Sequence, residues 1–438
     1  MSLTVETIHT RGLGDSTYVA IHQGVALVVD PQRDIERFEE VLDRLGGELR
    51  LVLETHLHND YVSGGRDIAR RRDADLVMPA GAAPTFRHRP AFHNEDIDLG
   101  DLVVRPIHTP GHTPEHTSYL VLVEGEPEAV FSGGSLLVGS AGRTDLLGST
   151  RAESLARLQY GSVTRLSRLP DDTALYPTHG AGSFCTTVAA SRGTSTIGAE
   201  RATNPVLSYP DEDSFVAGQL SGLVPYPAYY RHMAAINLTG LPQPALHLPV
   251  LDEVPGGVTV VDARPMKRFA AGHLPGALGI ELSPSFATWV GWLTEHNTPL
   301  VLVLDEDQDA DEAVRQLARI GYDEVRGVVR PGPGHDARFA TVSVDGLREA
   351  IDQGAQVLDV RAPNEWEQGV IEGATLSYLP DLARETPSGL DRDRPVAVVC
   401  GSGFRAGVAA GILESRGYLP LVLAGAGATD VISVTSKR

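Results

Sequence analysis

Val261-Asp262-Ala263-Arg264 returns 97 residues later as Leu358-Asp359-Val360-Arg361, and the echo continues through Phe269 and Trp366, Gly272 and Gly369, and Gly276-Ala277 and Gly373-Ala374. Self-similarity at a fixed offset marks one structural unit used twice. In each copy an apolar run (300–304; 396–399) leads into a loop and a helical stretch that closes on Ile320-Gly321-Tyr322 or Arg416-Gly417-Tyr418. Strand, loop and helix in that order predict a parallel α/β sheet with a site at the strand's C-terminal end. Residues 249–335 and 342–438 therefore read as two α/β domains.

Upstream, residues 1–248 follow another rhythm. Short β-type runs at 18–22, 25–29 and 51–54 surround a helical pattern at 35–45, and strands with Gly/Pro turns continue to about residue 178. Residues 205–248, rich in Pro and Tyr, read as a packed extension and connector. The 438 residues carry 37 Lys plus Arg against 57 Asp plus Glu, a net charge of −20. That balance repels phosphate backbones, so neither nucleic acid nor an anionic membrane is expected as a partner. Two cysteines cannot form a disulfide framework, which fits a reducing compartment. The N-terminus shows no basic stretch followed by an apolar run, and no segment approaches 18 apolar residues, so a soluble, cytoplasmic protein is expected. Two-fold dimers are the commonest symmetric oligomers, which makes a homo-oligomer the expectation.

In the second copy the apolar strand delivers Cys400-Gly401-Ser402-Gly403-Phe404-Arg405, after which residues 406–415 read as helix. Backbone N–H groups, a helix N-terminus and a guanidinium beside a thiol all favour the thiolate. With Asp359-Val360-Arg361 and Gly369-Val370-Ile371-Glu372-Gly373-Ala374, this loop resembles the rhodanese family of sulfurtransferases. The resemblance implies Cys400 as carrier of a persulfide sulfur, with Gly401, Ser402, Gly403, Phe404 and Arg405 cradling it through their amides and Arg405 also through its side chain. The first copy instead reads Leu304-Asp305-Glu306-Asp307-Gln308-Asp309-Ala310-Asp311, with no thiol and four aspartates. It is expected to be inactive and structural, with a docking surface as the alternative.

Histidines cluster in the N-terminal region as Thr55-His56-Leu57-His58-Asn59-Asp60-Tyr61, Thr109-Pro110-Gly111-His112-Thr113 and Thr178-His179-Gly180, each after a β-type run. Histidines and an aspartate on separate strand-end loops point to a metal. Their order resembles the metallo-β-lactamase superfamily, which implies an αβ/βα sandwich. Gly142-Arg143-Thr144-Asp145, Gly180-Ala181-Gly182-Ser183-Phe184-Cys185, the 204–207 run and Tyr229-Tyr230-Arg231-His232-Met233 look like its persulfide dioxygenase branch fused to tandem rhodanese modules. The resemblance implies oxidation of a low-molecular-weight thiol persulfide by O₂ at a mononuclear Fe(II), with sulfite and thiosulfate as products or exchange partners.

Two departures fall on the metal motif. Tyr61 stands where the family has His, which removes a ligand of the second site that two-metal hydrolases need. Gly134, in Phe131-Ser132-Gly133-Gly134-Ser135-Leu136, stands where the family has the iron-binding Asp. Three completions are open: His58 joins His56 and His112 in a three-histidine iron site, Asp60 swings in as the carboxylate, or the domain holds no metal; zinc is an alternative ion. Tyr61 reads either as a phenol over the site or as a ring filling vacated volume, and Cys185 as a sulfur relay or a buried structural thiol. His179 is read as a secondary residue of the site and His116 as a partner behind His112. The expected function is sulfur metabolism, with transfer through Cys400 and oxidation at an altered iron site. The alternative is a metal-free carrier that binds the persulfide and hands sulfur to an acceptor protein.

Overall fold

The structure, a computed structural model, describes residues 2–186, 193–221 and 223–435. The chain divides into two compact units, Met1–Pro244 with Leu317–Gly321, and Ala245–Gln316 with Tyr322–Arg438.

In the first unit two six-stranded sheets face each other. One runs Thr4–Thr10, Asp15–His22, Val25–Val29, Glu48–Leu53, Asp75–Pro79, Arg89–Ala91 in spatial order; the other runs Ser195–Thr196, Ala174–Pro177, Glu126–Gly133, Thr117–Val123, Leu102–His108, Ile97–Asp98. Strand alternation sorts side chains between layers. Leu27 and Val29 join Leu51, Leu53, Tyr119, Val121 and Phe131 between the sheets, whereas Ala26 and Val28 face Phe38 and Leu42 of the helix Glu36–Leu45. On the far side Leu120, Leu122 and Val130 face Ala156 and Val163 of the helix Ser149–Leu166. The result is the αβ/βα sandwich expected. The stretch read as a connector holds two helices, Glu212–Ser221 and Tyr230–Thr239, with Phe215 and Val216 packed into the outer core. The sequence pattern hid them because neither carries a clear apolar stripe.

The second unit holds two five-stranded parallel sheets of the same spatial order: Val250–Leu251, Val325–Val329, Leu300–Val303, Thr259–Asp262, Leu278–Gly279, and Ala340–Val342, Leu419–Leu423, Pro395–Val399, Gln356–Asp359, Thr375–Leu376. The repeated residues form the same buried network twice. The Arg361 guanidinium forks onto Asp359 (2.7 Å) and donates to the Gly369 carbonyl (2.7 Å); Arg264 does so with Asp262 (2.6 Å) and Gly272 (2.8 Å). A buried carboxylate needs such a paired, hydrogen-bonded partner. Among the described residues no helix is long and apolar enough to cross a membrane.

Candidate metal centre and sulfur-transfer loop

Three histidines of the first unit follow the ends of strands. His56 lies beyond Glu48–Leu53, His112 beyond Leu102–His108 and His179 beyond Ala174–Pro177, and all three are fully buried. The far side of each ring is tied down. Thr55 Oγ1 spends its proton on Asp30 Oδ2 (2.7 Å), so it accepts from His56 Nδ1 (2.8 Å). His112 Nδ1 donates to the Arg143 carbonyl (2.8 Å), and His179 Nδ1 donates to Asp15 Oδ1 (2.8 Å). The three Nε2 atoms are thereby left as lone pairs.

Those lone pairs converge. His56 Nε2 and His179 Nε2 are 3.3 Å apart, and the three ligand atoms lie within 4.8 Å of one another. Two nitrogens bound to one ion at about 2.0–2.1 Å in a tetrahedral arrangement are separated by about 3.3 Å. His112 Nε2 is buried without a hydrogen-bond partner. Burial, followed by the neighbouring imidazoles, pushes the pKa of His56 and of His112 far down, and burial lowers that of His179, so all three are neutral as a ligand must be. The residues present fit a divalent metal held by three imidazoles, each oriented from behind by a carbonyl, hydroxyl or carboxylate.

His58, expected as the third ligand, points elsewhere. Its Nε2 lies 3.2 Å from Asp30 Oδ1, 3.1 Å from Glu54 Oε2 and 3.0 Å from the Tyr61 hydroxyl. Burial opposes its charge, yet the two carboxylates hold His58 well above the ordinary histidine range. His58 is absent from the group formed by His56, His112 and His179, but with Asp30 and His56, and with Asp60 and His179, it forms two further buried groups whose ligand atoms lie within 4.8 Å of one another. Asp60 does not swing toward the three Nε2 atoms; its Oδ2 is 3.4 Å from His179 Nδ1, behind the ring. The Tyr61 ring stacks on His58 with centroids 4.3 Å apart and is fully buried. The Cys185 thiol donates to Asp60 Oδ2 (3.4 Å), and burial, then the Asp60 charge, pushes its pKa far up. His116 stacks on His56 and accepts from the Gly134 N–H (3.0 Å). A Cβ at Gly134 would meet His112 Cδ2 at 2.3 Å. The position therefore lacks not only the carboxylate but any room for one, because the His112 ring occupies it.

In the second unit Cys400 ends the strand Pro395–Val399 and is 1% exposed. Gly403, at φ +94 in the left-handed region, lets the chain turn so that its N–H donates to Cys400 Sγ (3.1 Å). The helix Phe404–Ser415 starts there. Arg405 differs from expectation. Its guanidinium forks onto Glu365 (2.8 Å to Oε1) rather than lying free over the sulfur, and although burial opposes it, that pairing holds the Glu365 carboxyl below its usual range. Trp289 of the first copy brings its ring to 5.9 Å from Phe404. Neither Glu365 nor Trp289 carried a sequence signal. In the first copy Asp305 pairs with Arg268 (2.8 Å), so part of the acidic loop is neutralised locally.

Compared with known proteins, residues 9–179 match the metallo-beta-lactamase superfamily, and residues 251–329 and 343–430 match the rhodanese-like domain. A human hydroxyacylglutathione hydrolase-like protein is 33% identical over 33% of this chain and 48% of its own. A hydroxyacylglutathione hydrolase of Methylobacillus flagellatus is 31% identical over 40% of this chain and 66% of its own. The chain thus spans about half to two thirds of such relatives. Among solved structures, a metallo-beta-lactamase from Staphylococcus aureus superposes over 76% of this chain and 100% of its own at TM-score 0.70 and 28% identity. ETHE1 from Myxococcus xanthus covers 53% of this chain and 97% of its own at TM-score 0.46 and 26% identity. The chain consists of a metallo-beta-lactamase domain followed by two rhodanese-like domains.

Proposed function

We propose that the chain processes the persulfide of a low-molecular-weight thiol, oxidising it at the first domain and transferring sulfane sulfur through Cys400. The observation that carries the first half is the convergence of three neutral Nε2 atoms, of His56, His112 and His179, each with its Nδ1 already committed. A redox-active divalent ion such as Fe(II), held there, supplies sites for the persulfide and O₂ and a route for electrons between them. Three neutral imidazoles would leave a bound divalent ion's charge uncompensated, which would favour an anionic substrate such as a persulfide. The back-side partners Thr55, Asp15 and the Arg143 carbonyl keep the rings in the ligating tautomer. In the net reaction one persulfide, one O₂ and one water give the thiol, bisulfite and a proton.

Transfer uses the second rhodanese copy. The Cys400 thiolate attacks the outer sulfur of a persulfide, the S–S bond breaks, and the thiol leaves with the proton. The Gly403 N–H, 3.1 Å from Sγ, stabilises negative charge there. Attack of sulfite on the Cys400 persulfide then gives thiosulfate and returns the thiolate. Thiosulfate, sulfite, the persulfide and a sulfur-acceptor protein are the partners this reading requires. The relatives' name, hydroxyacylglutathione hydrolase, places a glutathione derivative among their substrates and supports a thiol-bearing one here.

The test is O₂ uptake and sulfite formation by the full chain given glutathione persulfide. Wild type should consume O₂ in proportion to persulfide, and His112→Ala should fall to background. No O₂ uptake by wild type, with transfer through Cys400 retained, would leave the chain a sulfur carrier and end the oxidation reading.

A further inference from the structure

Two cavities of the first unit share a wall. The outer one, 450 Å³, is lined by Arg66, Arg70, Arg87 and Arg89 together with Leu76 and Phe86. The inner one, 20 Å³ and so roomy enough for about one water, has Arg66, Leu76 and Phe86 on one side and Glu54, His56 and His58 on the other. The Arg66 guanidinium lies 5.8 Å from the Phe86 ring at this neck. A basic mouth thus stands outside a chamber whose inner wall carries His56 and His58.

Four arginines at one mouth are unexpected on a chain of net charge −20. Their local carboxylates do not use them up. Arg66 and Arg70 share Asp67, at 3.4 and 3.3 Å, and Asp67 also accepts from Gln243 (2.8 Å). Arg89 is 3.9 Å from Asp75, and Asp73 lines the same mouth. Arg87 makes no hydrogen bond or ion pair among the described residues. On the inner wall His58 Nδ1 is buried with no partner. Guanidinium forks match the planar oxygens of carboxylate and phosphate, and a concave setting concentrates their field.

We propose that the outer cavity docks the anionic end of the thiol substrate, a carboxylate or phosphate, with the sulfur end directed through the Leu76 and Phe86 neck toward His56. The direction of the sulfur end rests on the persulfide reading; the anion docking does not.

The experiment is isothermal titration calorimetry of the full chain as purified, with two unreactive probes, S-methylglutathione and inorganic pyrophosphate. Wild type should bind at least one, and the Arg70→Ala/Arg87→Ala double variant should bind it at least tenfold more weakly, at an unchanged melting temperature. Added NaCl should weaken the wild-type affinity. Binding of S-methylglutathione alone assigns carboxylate recognition, and of pyrophosphate alone phosphate recognition. Binding of neither, or equal affinity in both proteins, overturns the proposal. No turnover enters the measurement, so its failure leaves the oxidation reading standing, and failed O₂ uptake leaves the docking site standing.

Discussion

His179 Nε2 lies 3.3 Å from His56 Nε2, and neither nitrogen has a proton to give, because Asp15 and Thr55 each take the N–H on the far side of the ring. Two buried lone pairs aimed at each other repel, and burying polar atoms unpaired costs free energy. A cation shared with His112 Nε2 removes both penalties. The three rings are therefore set as ligands before any ion arrives.

Gly134 is held as glycine by this arrangement. A Cβ there would press on His112 Cδ2 at 2.3 Å, and the ring is pinned by the Arg143 carbonyl. Gly134→Ala should cost about 1–3 kcal/mol by overpacking and displace the His112 ring, lowering the melting temperature and the bound metal together. Gly134→Asp, which supplies the carboxylate the family has, should do the same rather than strengthen the site. Calorimetry with metal analysis checks both; a variant as stable and as metal-rich as wild type contradicts the packing argument.

Cys400→Ser should leave the fold intact, since the side chains are nearly isosteric, and reduce sulfane-sulfur transfer from thiosulfate to cyanide to less than about 1% of wild type. Transfer retained at the wild-type rate would show that another thiol carries the sulfur. Only Cys185 remains, and its raised pKa keeps it protonated.

The metal-free chain should lose stability as pH rises from 6.5 to 8. Burial lifts Asp15 and Asp60 to about 7, and Asp30 with Glu54 holds His58 well above the ordinary range. In that window these groups keep protons in the folded chain that the unfolded chain has already released. Groups with folded pKa above the unfolded value lose their stabilising effect as pH climbs through the folded value. The depressed histidines act in the opposite sense as pH passes their unfolded value of about 6.5 and fade by about 7.5, so the fall is carried by the upper part of the window. Urea unfolding of chelator-treated protein should give a midpoint that falls from pH 6.5 to 8; a rising midpoint contradicts these assignments.

The repeat of Asp262, Arg264 and Gly272 in Asp359, Arg361 and Gly369 was legible because each trio is a buried ion pair tied to one carbonyl, a network that needs those residue types. The sandwich was reached through the family resemblance that the histidine motifs after β-type runs carry. What the sequence could not show was direction. His58 and His179 both read as ligand-capable, and only the positions of Asp30 and Glu54 around one and Asp15 behind the other decide which Nε2 faces His56. Arg405 was likewise identified as a loop residue, but its Glu365 partner lies 40 residues upstream and is brought close only by the fold.

The most direct measurement is metal content by mass spectrometry on full-length protein purified anaerobically without chelator, for wild type, His112→Ala and His179→Ala. The account predicts close to one divalent transition metal per wild-type chain and background levels in both variants, with transfer through Cys400 unchanged as the sign that the rhodanese domain remains folded. Wild type without metal, or His179→Ala with its full complement, would contradict it.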